Sequence, residues 1–191
     1  MTTAPVNCLL LVDLQAAFVT GPDAVPSAAG LLAAATDLLD RATRSQSLII
    51  HLQNDGPPGA ADEPGTPGWA LHVEPGPGQT VIRKTADDGF EGTGLGDILA
   101  VSGIRRLAIS GVMSEMCVSA TVRSALHRGL GVVLPHDAHA TYDIPALPGV
   151  APAIPAATVT RVAEWALGDE LELVATGREV LFTAADAFGR S

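Results

Sequence analysis

The sequence predicts an α/β protein with a three-layer, Rossmann-like fold, a six-stranded parallel sheet flanked by helices on both faces. Three observations carry this. Short apolar runs alternate along the chain with longer segments of helical spacing. The runs are apolar nearly throughout rather than at every second residue, the pattern of strands buried on both sides. With 191 residues, 47% of them hydrophobic, the chain can bury one sizeable core without a disulfide or metal staple. Residues 1–191 are therefore read as a single domain.

The elements follow in order. Cys8–Leu14 is the first strand. Ser27–Arg44 carries Leu31, Leu32, Ala35, Leu38, Leu39 and Ala42 at helical spacing, with Ser27 as N-cap. Leu48–Leu52 and Thr80–Lys84 are the second and third strands. Gly96–Ser102 is a short helix closed by Gly103. Leu107–Val112 is the fourth strand, and Glu115–Arg128 a helix ending at Gly129. Gly131–Leu134 is the fifth strand, Pro155–Leu167 a helix and Leu171–Ala175 the sixth strand. Two Gly/Pro-rich segments, Asn54–Gly78 and Ile144–Ile154, interrupt the alternation. Loops this long inside a compact domain are usually functional, and Trp69, Leu71 and His72 favour a packed loop in the first.

Composition excludes several classes. Acidic residues outnumber basic ones 21 to 11, a formal net charge of −10. That argues against nucleic acid or an anionic membrane surface as partner. No apolar run approaches the ~20 residues of a membrane helix. Met1–Asn7 has no basic n-region, so no signal peptide is expected and a cytoplasmic location is. With two cysteines and no export signal, no disulfide framework is expected. Cys8, inside an apolar run, reads as core. Ten of the eleven basic residues are arginines. The single lysine, Lys84, stands at the end of a predicted strand.

In an open parallel sheet, ligands collect beyond the carboxyl ends of the strands. Asp13 stands after the first strand, His51, Gln53, Asn54 and Asp55 at the second, Lys84 at the third and Ser114-Glu115-Met116-Cys117 after the fourth. Asp13 alone reads equally as a turn-capping aspartate. Asp-Leu-Gln at that point rules out a dinucleotide-binding glycine fingerprint. Cys117 in the first turn of a helix would have its thiolate favoured by the helix dipole and a nearby lysine, or it is a small buried packing residue. The joint occurrence of Asp13, Lys84 and Cys117 on one sheet edge favours nucleophilic chemistry. His136-Asp137-Ala138-His139 lacks the further ligands a metal needs; no metal or cofactor is expected.

Five segments together resemble the isochorismatase-like cysteine hydrolases, which include nicotinamidases, carbamoylsarcosine amidases and ureidoacrylate amidases. They are Leu-Val-Asp13-Leu-Gln, Val-Ile-Arg-Lys84, Gly89-Phe-Glu-Gly-Thr-Gly-Leu95, Ser110-Gly-Val-Met-Ser-Glu-Met-Cys117-Val-Ser-Ala-Thr121 and Asp137-Ala-His-Ala-Thr141. The resemblance implies an Asp13, Lys84, Cys117 triad. It implies a cis peptide at Val112–Met113 and an oxyanion site made by the backbone amides of Met113 and Cys117. It implies amide hydrolysis through a thioester on Cys117, and a homodimer or homotetramer; the apolar stretch Val180-Leu181-Phe182 is a candidate for such an interface. The pair of histidines and an aspartate that bind metal in nicotinamidases is missing from His51-Leu52-Gln53-Asn54-Asp55-Gly56. The chain therefore looks like a metal-free subgroup, some of whose members act on amides or lactams, streptothricin-type antibiotics included. Phe18, Gln53, Trp69, Phe90 and Tyr142 are the expected substrate-binding wall for a small-molecule amide, although Phe18 and Phe90 read equally as core rings. A metal-dependent nicotinamidase and a non-catalytic binding domain are the competing readings.

Overall fold

A computed structural model describes residues 4–185. The strands are β1 (Cys8–Val12), β2 (Leu48–Asn54), β3 (Thr80–Lys84), β4 (Arg106–Val112), β5 (Gly131–Pro135), β6 (His139–Ala140) and β7 (Glu172–Val174). The helices are α1 (Ala16–Val19), α2 (Ala28–Arg44), α3 (Leu95–Val101), α4 (Ser119–His127) and α5 (Ala156–Ala166). The strands pair in parallel in the order β3-β2-β1-β4-β5-β7, and the two-residue β6 joins β4.

The near-continuous apolar runs have the predicted cause. Along β1, Leu9 and Leu11 enter one core cluster while Cys8, Leu10 and Val12 enter the other. The first cluster packs under α2 through Leu31, Ala35, Leu38 and Ala42. The second packs under α3 and α4 through Leu95, Leu99, Val118, Val122 and Ala125. Both faces are dry, so strict alternation of apolar and polar residues is not selected.

Several details differ from the sequence reading. The first strand ends at Val12, because Asp13 turns the chain with a positive φ of 51°. Ser27 precedes α2, but its side chain makes no capping bond. The expected helix over Glu115–Arg128 is broken. A wide turn, Ser114–Val118, comes first, with Met116 at φ −107°, ψ −106°, and α4 begins at Ser119. The helix α1 and strand β6 are too short to leave a periodic signal. Val180 is fully buried in this chain's own core and Phe182 packs against the same cluster. That part of the expected subunit interface is therefore occupied within the chain; Leu181 remains exposed.

Both long loops are tied down. Gln15 Nε2 donates to the carbonyls of Asn54 and Trp69, 3.0 Å each, and its Oε1 accepts from the Asn54 amide. One fully buried side chain thus clamps the start of the 54–78 loop to the end of β1. The 144–154 segment folds back on itself, pairing Ile144 with Ile154 and Leu147 with Ala151. No described helix is long and apolar enough to cross a membrane.

Candidate active site

Three strand ends converge. Asp13 follows β1, and its amide donates to the Leu52 carbonyl of β2. Lys84 is the last residue of β3, paired in register with Asn54. The turn carrying Cys117 follows β4, which lies on the other side of β1. Residues 71 and 33 positions apart in sequence thus share one edge because parallel strands all deliver their carboxyl ends to the same side.

Lys84 is the hub. Its Nζ lies 2.8 Å from Asp13 Oδ2, with both side chains sealed from solvent. It also donates to the Ala86 carbonyl at 3.2 Å and Cys117 Sγ at 3.4 Å, and reaches Asn54 Oδ1 at 3.5 Å. Burial, the largest single influence, would favour a neutral amine, but Asp13 and Cys117 together outweigh it and Lys84 is held above the ordinary lysine value. Asp13 Oδ1 is buried with no hydrogen-bond partner among the described residues. Burial raises the Asp13 carboxyl against the lowering effect of Lys84.

The thiol corrects the sequence reading. Cys117 is pushed up to about 12, first by burial and then by the Asp13 carboxylate, with Lys84 pulling the other way. The helix dipole does not win here. The resting nucleophile is a thiol beside an unsatisfied carboxylate oxygen, rather than a standing thiolate. Asp87, exposed on the loop after β3, accepts weakly from the thiol at 3.6 Å and adds to the upward push.

The turn is built from its own backbone. The Met113 carbonyl accepts from the amides of Met116 and Val118. The peptide bond Val112–Met113 is cis, and the Met113 amide has no acceptor among the described residues.

Residues 7–146 match the family model described as the isochorismatase domain. The chain belongs to the isochorismatase family. A streptothricin hydrolase of Streptomyces noursei is 60% identical over 183 residues, covering 95% of this chain and 73% of that protein. A second streptothricin hydrolase from that organism is 58% identical over 181 residues, 94% of this chain and 66% of that protein. The chain thus spans about two-thirds to three-quarters of these relatives. Among solved structures, an isochorismatase of Pseudomonas putida KT2440 superposes with a TM-score of 0.83 at 30% identity, covering 94% of each chain. The protein is a hydrolase of this family.

The expected substrate wall fares unevenly in this isochorismatase-family chain. Phe90 is buried in the core beneath α3, with Arg128 stacked on its ring at 4.5 Å, and Phe18 packs on the opposite core. Phe90 thus takes the core place that its sequence context equally allowed, while Phe18 is half-buried. Gln53 Nε2 donates to the Trp69 carbonyl, 2.9 Å. Trp69 is itself pinned, its Nε1 donating to Asp55 and Arg83 lying over its ring. The Tyr142 hydroxyl donates to the Asp23 carbonyl. None of the five lines the cavity of about 540 Å³ beside the nucleophile turn, whose walls include Asp87, Glu115, Met116, Ile144, Ile154 and Val162.

Residues that sequence reasoning missed are Gln15, Asp87 and Glu164. Gln15 follows Asp13 by two positions and was readable as a strand-end polar residue. Asp87 stands in a run of polar loop residues without distinguishing marks. Glu164 lies on α5 and is nevertheless buried, accepting from His136 at 2.6 Å and His139 at 3.2 Å. Those two histidines meet this carboxylate, and no group of three or more His, Cys, Asp or Glu among the described residues is disposed to hold a metal ion.

Proposed function

We propose that this hydrolase opens a carbon–nitrogen bond, an amide or lactam of a small molecule, through a thioester on Cys117. The contact of Lys84 with both Asp13 and Cys117, beside the unpartnered Asp13 Oδ1, carries the reading. The protein covers 95% of its own length in the match to a streptothricin hydrolase, which supports a streptothricin-type antibiotic lactam as the substrate.

Asp13 takes the thiol proton as Cys117 Sγ bonds to the carbonyl carbon, and the carbonyl oxygen takes up the negative charge. The backbone amides of Met113 and Cys117 hold that oxygen. The carbon–nitrogen bond breaks with its electron pair on nitrogen, which receives the proton from Asp13. Water then attacks the thioester, giving its proton back to Asp13 and so to the departing sulfur. Lys84 keeps one positive charge facing whichever of Asp13 or Cys117 is ionised, so no step leaves a buried charge alone. No metal or cofactor takes part. The reaction proceeds in one domain, residues 1–191, of a cytoplasmic homodimer or homotetramer; exposed Val162 and Trp165 on α5 suit a subunit contact.

Incubation with streptothricin is expected to add one molecule of water to the antibiotic, seen by mass spectrometry. Cys117→Ala should abolish the conversion and leave the circular dichroism spectrum unchanged. Turnover by that variant would sink the thioester mechanism. Ammonia release from nicotinamide, inhibited by a chelator, would instead support the nicotinamidase reading.

A further inference from the structure

Behind the nucleophile turn lies a second polar chain that the proposed chemistry does not use. Glu164 Oε1 receives His139 Nε2 at 3.2 Å and His136 Nδ1 at 2.6 Å, while its Oε2 receives Arg161 at 2.9 Å. His139 Nδ1 lies 2.8 Å from Ser114 Oγ. Ser114 Oγ is also 3.3 Å from Thr160 Oγ1, and the Ser114 carbonyl accepts from Ser119 Oγ at 2.7 Å. Ser114, His139, Thr160 and Glu164 are all buried.

The bonds from His139 and His136 outweigh burial and hold the Glu164 carboxyl down at about 2, so it is ionised and only accepts. His139 Nε2 therefore donates to it, and His139 Nδ1 is left to share the bond with Ser114 Oγ. That bond joins the turn to β6 and, through the ring, to Glu164. The sequence of groups looks like a serine hydrolase triad, but Ser114 is 1% exposed and cannot meet a substrate. What it does touch is the turn itself. Ser114 directly follows Met113 and lies three residues before Cys117, and His139 sits in register opposite Gly111 on β4.

We infer that Ser114, His139 and Glu164 are positioning residues that hold the turn bearing the Met113 and Cys117 amides and the Cys117 thiol against β6 and α5. The inference rests on Cys117 being the nucleophile. Its reach is large because a displacement of about 1 Å at a reacting group can cost roughly 100-fold in rate.

Two substitutions at one position separate positioning from mere burial of a carboxylate. His139→Asn keeps a hydrogen-bonding group where Nδ1 was and loses the group that met Glu164. His139→Gln keeps a donor near the place of Nε2 and loses the partner of Ser114. The readout needs no substrate: the rate of iodoacetamide alkylation at Cys117, Cys8 being fully buried. His139→Gln and Ser114→Ala should change that rate at least about tenfold, because the thiol then leaves the Asp13 and Lys84 contacts that set its reactivity, and His139→Asn, which keeps a partner for Ser114 but loses the one for Glu164, should lie between them and the native protein. The reverse order of the two His139 variants, equal rates in both, or a native rate in Ser114→Ala would overturn the inference. Where both His139 variants fail to fold, the small Ser114→Ala change decides alone. Persistence of labelling in Cys117→Ala would count against the nucleophile assignment instead, and so against the proposed function.

Discussion

The ammonium of Lys84 and the carboxylate of Asp13 face each other at 2.8 Å with 0% and 2% of their side chains exposed. Two charges withdrawn this far from water are tolerated only as a pair, since removing one partner of a buried pair costs about 3–5 kcal/mol. The same ammonium touches Cys117 Sγ, so one point charge serves two anions in turn. Lys84→Arg preserves the charge but puts a broad planar fork where a compact ammonium sits among four acceptors. We expect that variant to lose roughly 100-fold or more in turnover and about 1–3 kcal/mol in stability. Steady-state kinetics with a thermal melt check both; near-native turnover would return Lys84 to an accident of a lysine-poor composition.

Cys117 should behave as a reluctant thiol in the free enzyme. Burial and the negative charges of Asp13 and Asp87 raise it, so the alkylation rate should climb with a midpoint above the ~8.5 of free cysteine. Removing a negative neighbour favours the thiolate, so Asp87→Asn should move the profile to lower pH, and Asp13→Asn further still. A profile unmoved by Asp87→Asn would mean that this exposed carboxylate is screened by solvent.

Glu164 ties stability to acid. Its folded value, about 2, lies below the ordinary 4.5. A carboxyl depressed by folding stabilises the native state above its unfolded value, and that contribution is lost as pH falls from about 4.5 toward 2. In Glu164→Gln the melting temperature should be lower near neutral pH, and its drop across that acid window shallower than in the native protein. Parallel acid limbs in the two proteins would contradict the assignment.

Gly111 is required by a close approach. It adopts φ +146°, and a Cβ there would stand 2.0 Å from the Val12 carbonyl oxygen on the adjoining strand. Backbone cannot yield as a flexible side chain would. Gly111→Ala should cost at least about 2 kcal/mol, a fall of roughly 4–8 °C in melting temperature for a chain of this size. Because Gly111 lies three positions before the start of the nucleophile turn at Ser114, activity should fall with it.

The alternation of apolar runs and helical segments determined the layers, the parallel sheet and which strand ends would face a ligand. It also brought Asp13, Lys84 and Cys117 to notice, since a charged residue at the end of an apolar run is conspicuous and a single lysine among arginines more so. These features are local, or repeat along the chain, and so are written in one dimension. What the fold alone decided are quantities that depend on several segments at once. The direction of the Cys117 shift is one: helix-end position argued for a low value, and burial beside Asp13 reversed it. The fate of Phe18 and Phe90 is another, because an aromatic ring reads the same in a core as at a rim. Glu164 is the clearest case. On α5 it has the look of a solvated residue, and only the approach of β6 and the nucleophile turn, 25 and 50 positions away, makes it a buried anchor for His139 and, through it, Ser114. Local patterning sets where each element lies; the free energy of a buried charge is set by every neighbour that excludes water from it, and those neighbours exist only once the chain has folded.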